Sequence, residues 1–147
     1  MPSSAARAQL SRVTVNGHTL VATGTATATS GRTTPFAAVS KDGGTTWAES
    51  ALPAPRGRAT VTAVAATGGG FTAVGTFGVQ GGQDVVIWTS ADGQAWQANS
   101  PLVTGLAGQG IQEITALAVS GSTLTGVGFT ATPARETPTI WRSPIRN

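Results

Sequence analysis

Short β-branched and apolar runs alternate along this chain with glycine-containing turns, and the arrangement occurs three times. Val13-Thr14-Val15, residues 61–65 and residues 114–119 lead into turns at Asn16-Gly17, Gly68-Gly69-Gly70 and Ser120-Gly121. A second run follows each turn: Leu20-Val21-Ala22-Thr23-Gly24, then Phe71-Thr72-Ala73-Val74-Gly75, then Leu124-Thr125-Gly126-Val127-Gly128. Strand, turn, strand is a β-hairpin pattern. The closing glycines are spaced by 51 and 53 residues, so the hairpin is one part of a repeat.

A second anchor keeps nearly the same distance from the first. Ser40-Lys41-Asp42-Gly43-Gly44-Thr45-Thr46-Trp47 aligns with Ser90-Ala91-Asp92-Gly93-Gln94-Ala95-Trp96, and Ile87-Trp88-Thr89-Ser90 aligns with Ile140-Trp141-Arg142-Ser143. The first repeat then reads as four strands, near residues 12–15, 19–24, 35–40 and 46–49. No segment carries a helical period of apolar residues with a cap and a stop. The expectation is an all-β fold in one domain, residues 1–147, with repeats over about 12–52, 59–102 and 111–147. Four-stranded repeats of that length are the blades of a β-propeller, here three, the third lacking its fourth strand.

The segment Ser40, Asp42, Gly44, Thr46, Trp47 resembles the Asp-box of the sialidase-type (BNR) repeat, Ser-x-Asp-x-Gly-x-Thr-Trp, at every specified position. Ser90, Asp92, Gly93 and Trp96 form a copy one residue shorter, without the Thr. The resemblance implies a propeller in which the box is the turn between the third and fourth strands of a blade. It implies a structural role for these nine residues, away from any catalytic pocket. It also implies secretion or a cell-surface location, although residues 1–10 lack the apolar stretch of a signal peptide.

Composition narrows the function classes. Net charge is +3, and the isoelectric point near 11.2 follows from having no Tyr, no Cys, one His and one Lys to titrate below the arginines. No basic stripe interleaved with aromatics suggests nucleic acid, and no apolar run reaches the roughly 20 residues of a membrane span. Without cysteine there are no disulfides or thiolate metal sites. The preference for Arg over Lys, with abundant Ala, Gly and Thr, suggests a GC-rich bacterial source.

Catalytic chemistry is not expected. Sialidase-like enzymes use a Tyr nucleophile, and the chain has none. Other glycosidases need two carboxylates across one bond. Of Asp42, Glu49, Asp84, Asp92, Glu113 and Glu136, two belong to the boxes and the rest show no pairing motif. His18 falls in the first hairpin turn with no nucleophile motif beside it. One His and dispersed acids make neither a metal site nor a cofactor site. Gly68-Gly69-Gly70 precedes a strand, whereas a phosphate cradle opens a helix.

Binding is the remaining expectation. In a four-stranded meander the first and third turns share one end, and the other connections share the opposite end. Long loops are expected at that opposite end, over 25–34, 76–84 and 129–138 and over 51–59 and 99–110. They carry Arg32, Arg56, Arg58 and Arg135, half of the eight arginines, and Arg forks suit an anionic group. The expected function is a non-catalytic binding or protein-interaction module for an anionic glycan or an acidic partner. The alternative is a fragment or subunit of a propeller glycoside hydrolase whose catalytic residues lie elsewhere. Three blades are too few to close a ring, so the chain is expected either to self-associate into a six-bladed dimer, with residues 6–10 as a candidate outer strand for the partner's last blade, or to be part of a longer ring.

Overall fold

The computed structural model describes residues 5–54, 58–79, 82–99 and 106–145. These form an all-β protein of eleven strands without helix. The first unit is a meander of β1 (Ala5–Asn16), β2 (Thr19–Ala28), β3 (Thr33–Ser40) and β4 (Ala48–Ala51), each antiparallel to the next. The second comprises β5 (Arg58–Thr67), β6 (Gly70–Val79), β7 (Gly82–Ser90) and the three-residue β8 (Gln97–Asn99). The third contains β9 (Ile111–Ser120), β10 (Thr123–Thr132) and β11 (Arg135–Pro144). One parallel bridge, Gln83 to Ile111, joins the second unit to the third, giving one four-stranded and one seven-stranded mixed sheet. Among the described residues no helix is long and apolar enough to cross a membrane.

The strands between the first two anchors run further than expected, because β-branched Thr and Val extend the alternating pattern beyond Gly24 and Gly75. The expected long loops over 25–34, 76–84 and 129–138 are therefore hairpins. Only residues 29–32 separate β2 from β3, and only residues 133 and 134 separate β10 from β11. Residues 6–10 are also reassigned. They belong to β1 and pair with β2 from Arg7 opposite Thr27 to Leu10 opposite Gly24, so they are not a spare outer strand. In the first unit the fourth strand begins at Ala48, since Thr46 and Trp47 are tied into the preceding turn.

One irregularity is common to all three units. The first strand carries a β-bulge at Ser11, Thr62 and Thr115, just after the residue paired with Gly24, Gly75 and Gly128. A Cβ on those glycines would lie 1.8 Å from the Gln9 carbonyl oxygen, 1.7 Å from that of Thr60 and 1.9 Å from that of Glu113. The glycine that closes the second run of each repeat thus lets the second strand press against the bulged first one.

The units stack face to face. Val21, Ala37 and Val39 of the first unit pack on Val61, Phe71, Ala73, Val86 and Trp88 of the second. Ala63, Val74 and Val85, on the other face of the second unit, pack on Ile114 and Trp141 of the third. Polar bonds follow the same seams. The Trp88 indole donates to the Pro53 carbonyl at 2.8 Å, the Ala66 amide donates to Thr14 Oγ1 at 3.1 Å, and the bulge hydroxyl of Thr62 donates to the Ile114 carbonyl.

Gly75→Ala is expected to destabilise the protein by ~3 kcal/mol or more, because the added methyl group meets backbone that cannot move aside. Gly68→Ala, which meets nothing within 4 Å, is expected to change stability by less than about 1 kcal/mol. Urea unfolding of the two variants measures the contrast.

Candidate functional site

The two turns singled out in the sequence are wired alike. In the first, the Ser40 hydroxyl donates to Asp42 Oδ1 at 2.7 Å and accepts from the Gly44 amide at 2.8 Å. Asp42 accepts the Thr46 amide on both oxygens, at 2.9 and 3.1 Å, and the Thr46 hydroxyl at 2.6 Å. The Trp47 indole donates to the Gly44 carbonyl at 3.0 Å. In the second, Ser90 bonds Asp92 and the Gly93 amide at 3.2 and 2.9 Å. Asp92 accepts the Gln94 and Ala95 amides at 2.8 and 3.0 Å, and the Trp96 indole donates to the Gly93 carbonyl at 2.8 Å.

The wiring makes Gly44 the counterpart of Gly93 and Gly43 the extra residue. A short polar side chain that closes its own turn in this way is the usual reason for Asp and Ser there. The bonds also set the charge. The Thr46 hydroxyl and amide and the Ser40 hydroxyl hold the Asp42 carboxyl down from 3.8 to about 2. The Ala95 and Gln94 amides, helped by Ser90 and by the Lys41 charge, lower that of Asp92. Proton transfer near neutrality calls for a group titrating close to the working pH. Neither carboxyl is held there.

The second turn also serves as packing. Gly93 is in a left-handed conformation, with φ +78, and a Cβ there would lie 2.6 Å from Val21 Cγ2 and 3.1 Å from Val39 Cγ2. The turn therefore lies against the first unit, and Trp96 is 6% exposed. Trp47 makes the same internal bond yet is 46% exposed, because none of the described units packs on its turn. Two links between turns were not legible in the sequence: the Lys41 ammonium donates to Gln94 Oε1 at 2.9 Å, and the Ser50 hydroxyl donates to the Gln94 carbonyl. Neither Gln94 nor Ser50 occupies a motif position. The Gly43 amide donates to the His18 carbonyl at 3.2 Å, which puts the β1–β2 turn and the 40–47 turn at one end, as expected.

At the other end are the arginines, spread over all three units rather than clustered. Arg32 is in the β2–β3 turn, Arg58 opens β5 opposite Gly78, and Arg135 opens β11 opposite Thr132. All three are exposed. Arg56 lies outside the described residues. Sequence reasoning missed Arg7, which the extension of β1 brings to this same end, opposite Thr27. Arg7, Ala8, Gln9, Thr25 and Thr27 line a shallow depression open to solvent. Between the second and third units is an apolar crevice of about 30 Å³, lined by residues such as Val74, Ile114 and Trp141, with space for little more than a water. Asp84 accepts the Gly108 amide at 3.1 Å and so fixes the loop before β9. Among the described residues no group of three or more His, Cys, Asp or Glu side chains could hold a metal ion.

Comparison with known proteins returns no matching family model, curated protein or solved structure.

Asp42 sets a pH dependence whose sign is fixed. Its folded-state pKa lies below the unfolded value of about 3.9, so its bonds stabilise the fold above about pH 4, and this stabilisation is lost as pH falls through about 2. Asp42→Asn is expected to lower the thermal midpoint at pH 7, and the gap from the parent chain should close between pH 4 and 2. Calorimetry across that range measures it, and a gap unchanged at pH 2 contradicts the carboxylate's role.

Proposed function

We propose that the chain is three blades of an Asp-box-type β-propeller, and that it acts as a non-catalytic binding module with a basic rim for an anionic glycan. The reading is supported by three meanders of one design, stacked through the same faces. It is supported further by two turns whose Ser, Asp and Trp groups are occupied in closing the turn itself.

The observation that carries the ligand class is the placement of Arg7, Arg32, Arg58 and Arg135. They are exposed at the end of the array opposite the boxes, so no unit lacks a cation there. Guanidinium groups on rigid strand ends present paired donors to carboxylate or sulfate at little conformational cost. Spacing from unit to unit suits an extended, repeating polyanion better than one compact ion. An acidic protein segment meets the same charges, but the depression beside Arg7 is lined by Ala8, Gln9, Thr25 and Thr27 and offers few apolar contacts for its side chains.

Titration calorimetry with a sulfated or uronic-acid oligosaccharide, against its neutral counterpart, tests the reading. Binding of the anionic form alone is expected. Each Arg→Ala change should weaken it roughly tenfold, the equivalent of one charged hydrogen bond, and added salt should weaken it further. Equal affinity for the neutral glycan, or undiminished binding by the Arg7→Ala/Arg32→Ala/Arg58→Ala/Arg135→Ala variant, overturns it.

A further inference from the structure

We propose that the two outward faces of the array are the halves of a single interface, and that a second copy of this chain covers them head to tail. The inference rests on the propeller reading and adds the partner, the polarity and the contact residues.

The units are equivalent position by position. Pairing across the bulge makes Leu10, Val61 and Ile114 counterparts, and likewise Val13, Val64 and Leu117. These side chains form the front of each unit. In the second unit the front is covered by the first, with Val61 7% exposed, and in the third it is covered by the second, with Ile114 3% exposed. In the first unit the β1 part of this face is open, with Leu10 41%, Val13 64% and Val15 58% exposed, whereas Ala22 and Phe36 on the same face are buried at 6% and 4%.

The backs behave in mirror fashion. Thr23 with Ala37, Val74 with Ile87, and Val127 with Ile140 are counterpart pairs. The first two pairs pack against the following unit. Val127 and Ile140, on which none of the described units packs, are 41% and 65% exposed. Among the described residues the chain therefore makes a front-on-back contact twice within itself and leaves the β1 part of one front, and one back, open.

Two further details match. Trp96, at the front of the second unit, is buried over Val21 and Val39 of the first together with its turn. Trp47 is its counterpart, and Thr125 and Arg142 are the counterparts of Val21 and Val39 on the third unit's back. A partner's Arg142 would thus meet the Trp47 ring, a favourable cation–π pairing. The bulge hydroxyl of Thr62 donates to the Ile114 carbonyl across a seam, and the same geometry directs Thr115 toward the Leu10 carbonyl of the second copy. Two copies of these three units make six, within the four to eight blades at which propellers close.

Light scattering of the full chain on a sizing column is the first test, and the expected mass is twice 14.6 kDa. Val13→Asp/Val15→Asp blocks the front and Ile140→Asp blocks the back. These side chains are exposed in the single chain, so both variants should keep the parent's circular dichroism, and each should lose the dimer. A chain with no cysteine also allows a directed link. Leu10→Cys/Thr115→Cys with a short bismaleimide should give a covalent dimer, whereas Leu10→Cys alone should not. A monomer at every concentration overturns the proposal, as does an Ile140→Asp variant that stays dimeric, since a front-to-front pair would ignore the back. The ligand reading fails separately: a dimer that binds no anionic glycan leaves this interface standing, and a monomer that binds one does the reverse.

Discussion

In every unit the second strand crosses the first so closely that one added methyl group would occupy the position of a carbonyl oxygen. Gly24, Gly75 and Gly128 make that crossing feasible, and the bulges at Ser11, Thr62 and Thr115 create the need for it. A bulge increases the twist of a strand pair and redirects one side chain. Here the redirected Thr62 bonds the Ile114 carbonyl of the next unit. The irregularity within a unit therefore fixes how the next unit attaches. The burial of β5 alternates along its whole length, before and after the bulge, and that of β6 is near-complete, as neighbours on both faces require.

The position of a unit in the array decides how much its apolar residues contribute. A Val or Ile side chain that is fully buried stabilises a fold by about 1.5–3 kcal/mol. Val61, Val74, Val85 and Val86 obtain this in the second unit, whereas Val13, Val15, Val127 and Ile140 do not. Monomeric proteins rarely leave such surfaces open in one place. The polar chemistry is arranged across the same architecture. The 40–47 and 90–96 turns are occupied by their own hydrogen bonds at one end, and the exposed arginines are at the other.

Much of this architecture was legible in the sequence, and the reason is physical. Gly75, Asp42 and Trp47 each meet a local demand that few other residues satisfy, so they mark the same point in every repeat where they occur. The lengths of β2, β6 and β10 were underestimated because Thr-rich ends read equally well as polar loops or as exposed strand. Residues 6–10 were misplaced for a related reason: Ala, Arg and Gln have little preference of their own, and only pairing with β2 makes them a strand. The same error concealed Arg7 from the candidate site. The Lys41, Ser50 and Gln94 links were out of reach altogether, since they join residues at least 44 positions apart with no motif to connect them.

The account turns on the equivalence of the inner and outer seams, and Trp47 reports on it directly. Acrylamide quenching of tryptophan fluorescence, in the parent chain and in Trp47→Phe, isolates this residue from Trp88, Trp96 and Trp141. If the seams are equivalent, Trp47 is shielded at high protein concentration, as Trp96 is within the chain, and becomes quenchable on dilution. A Trp47 that is quenched to the same extent at every concentration would contradict the account.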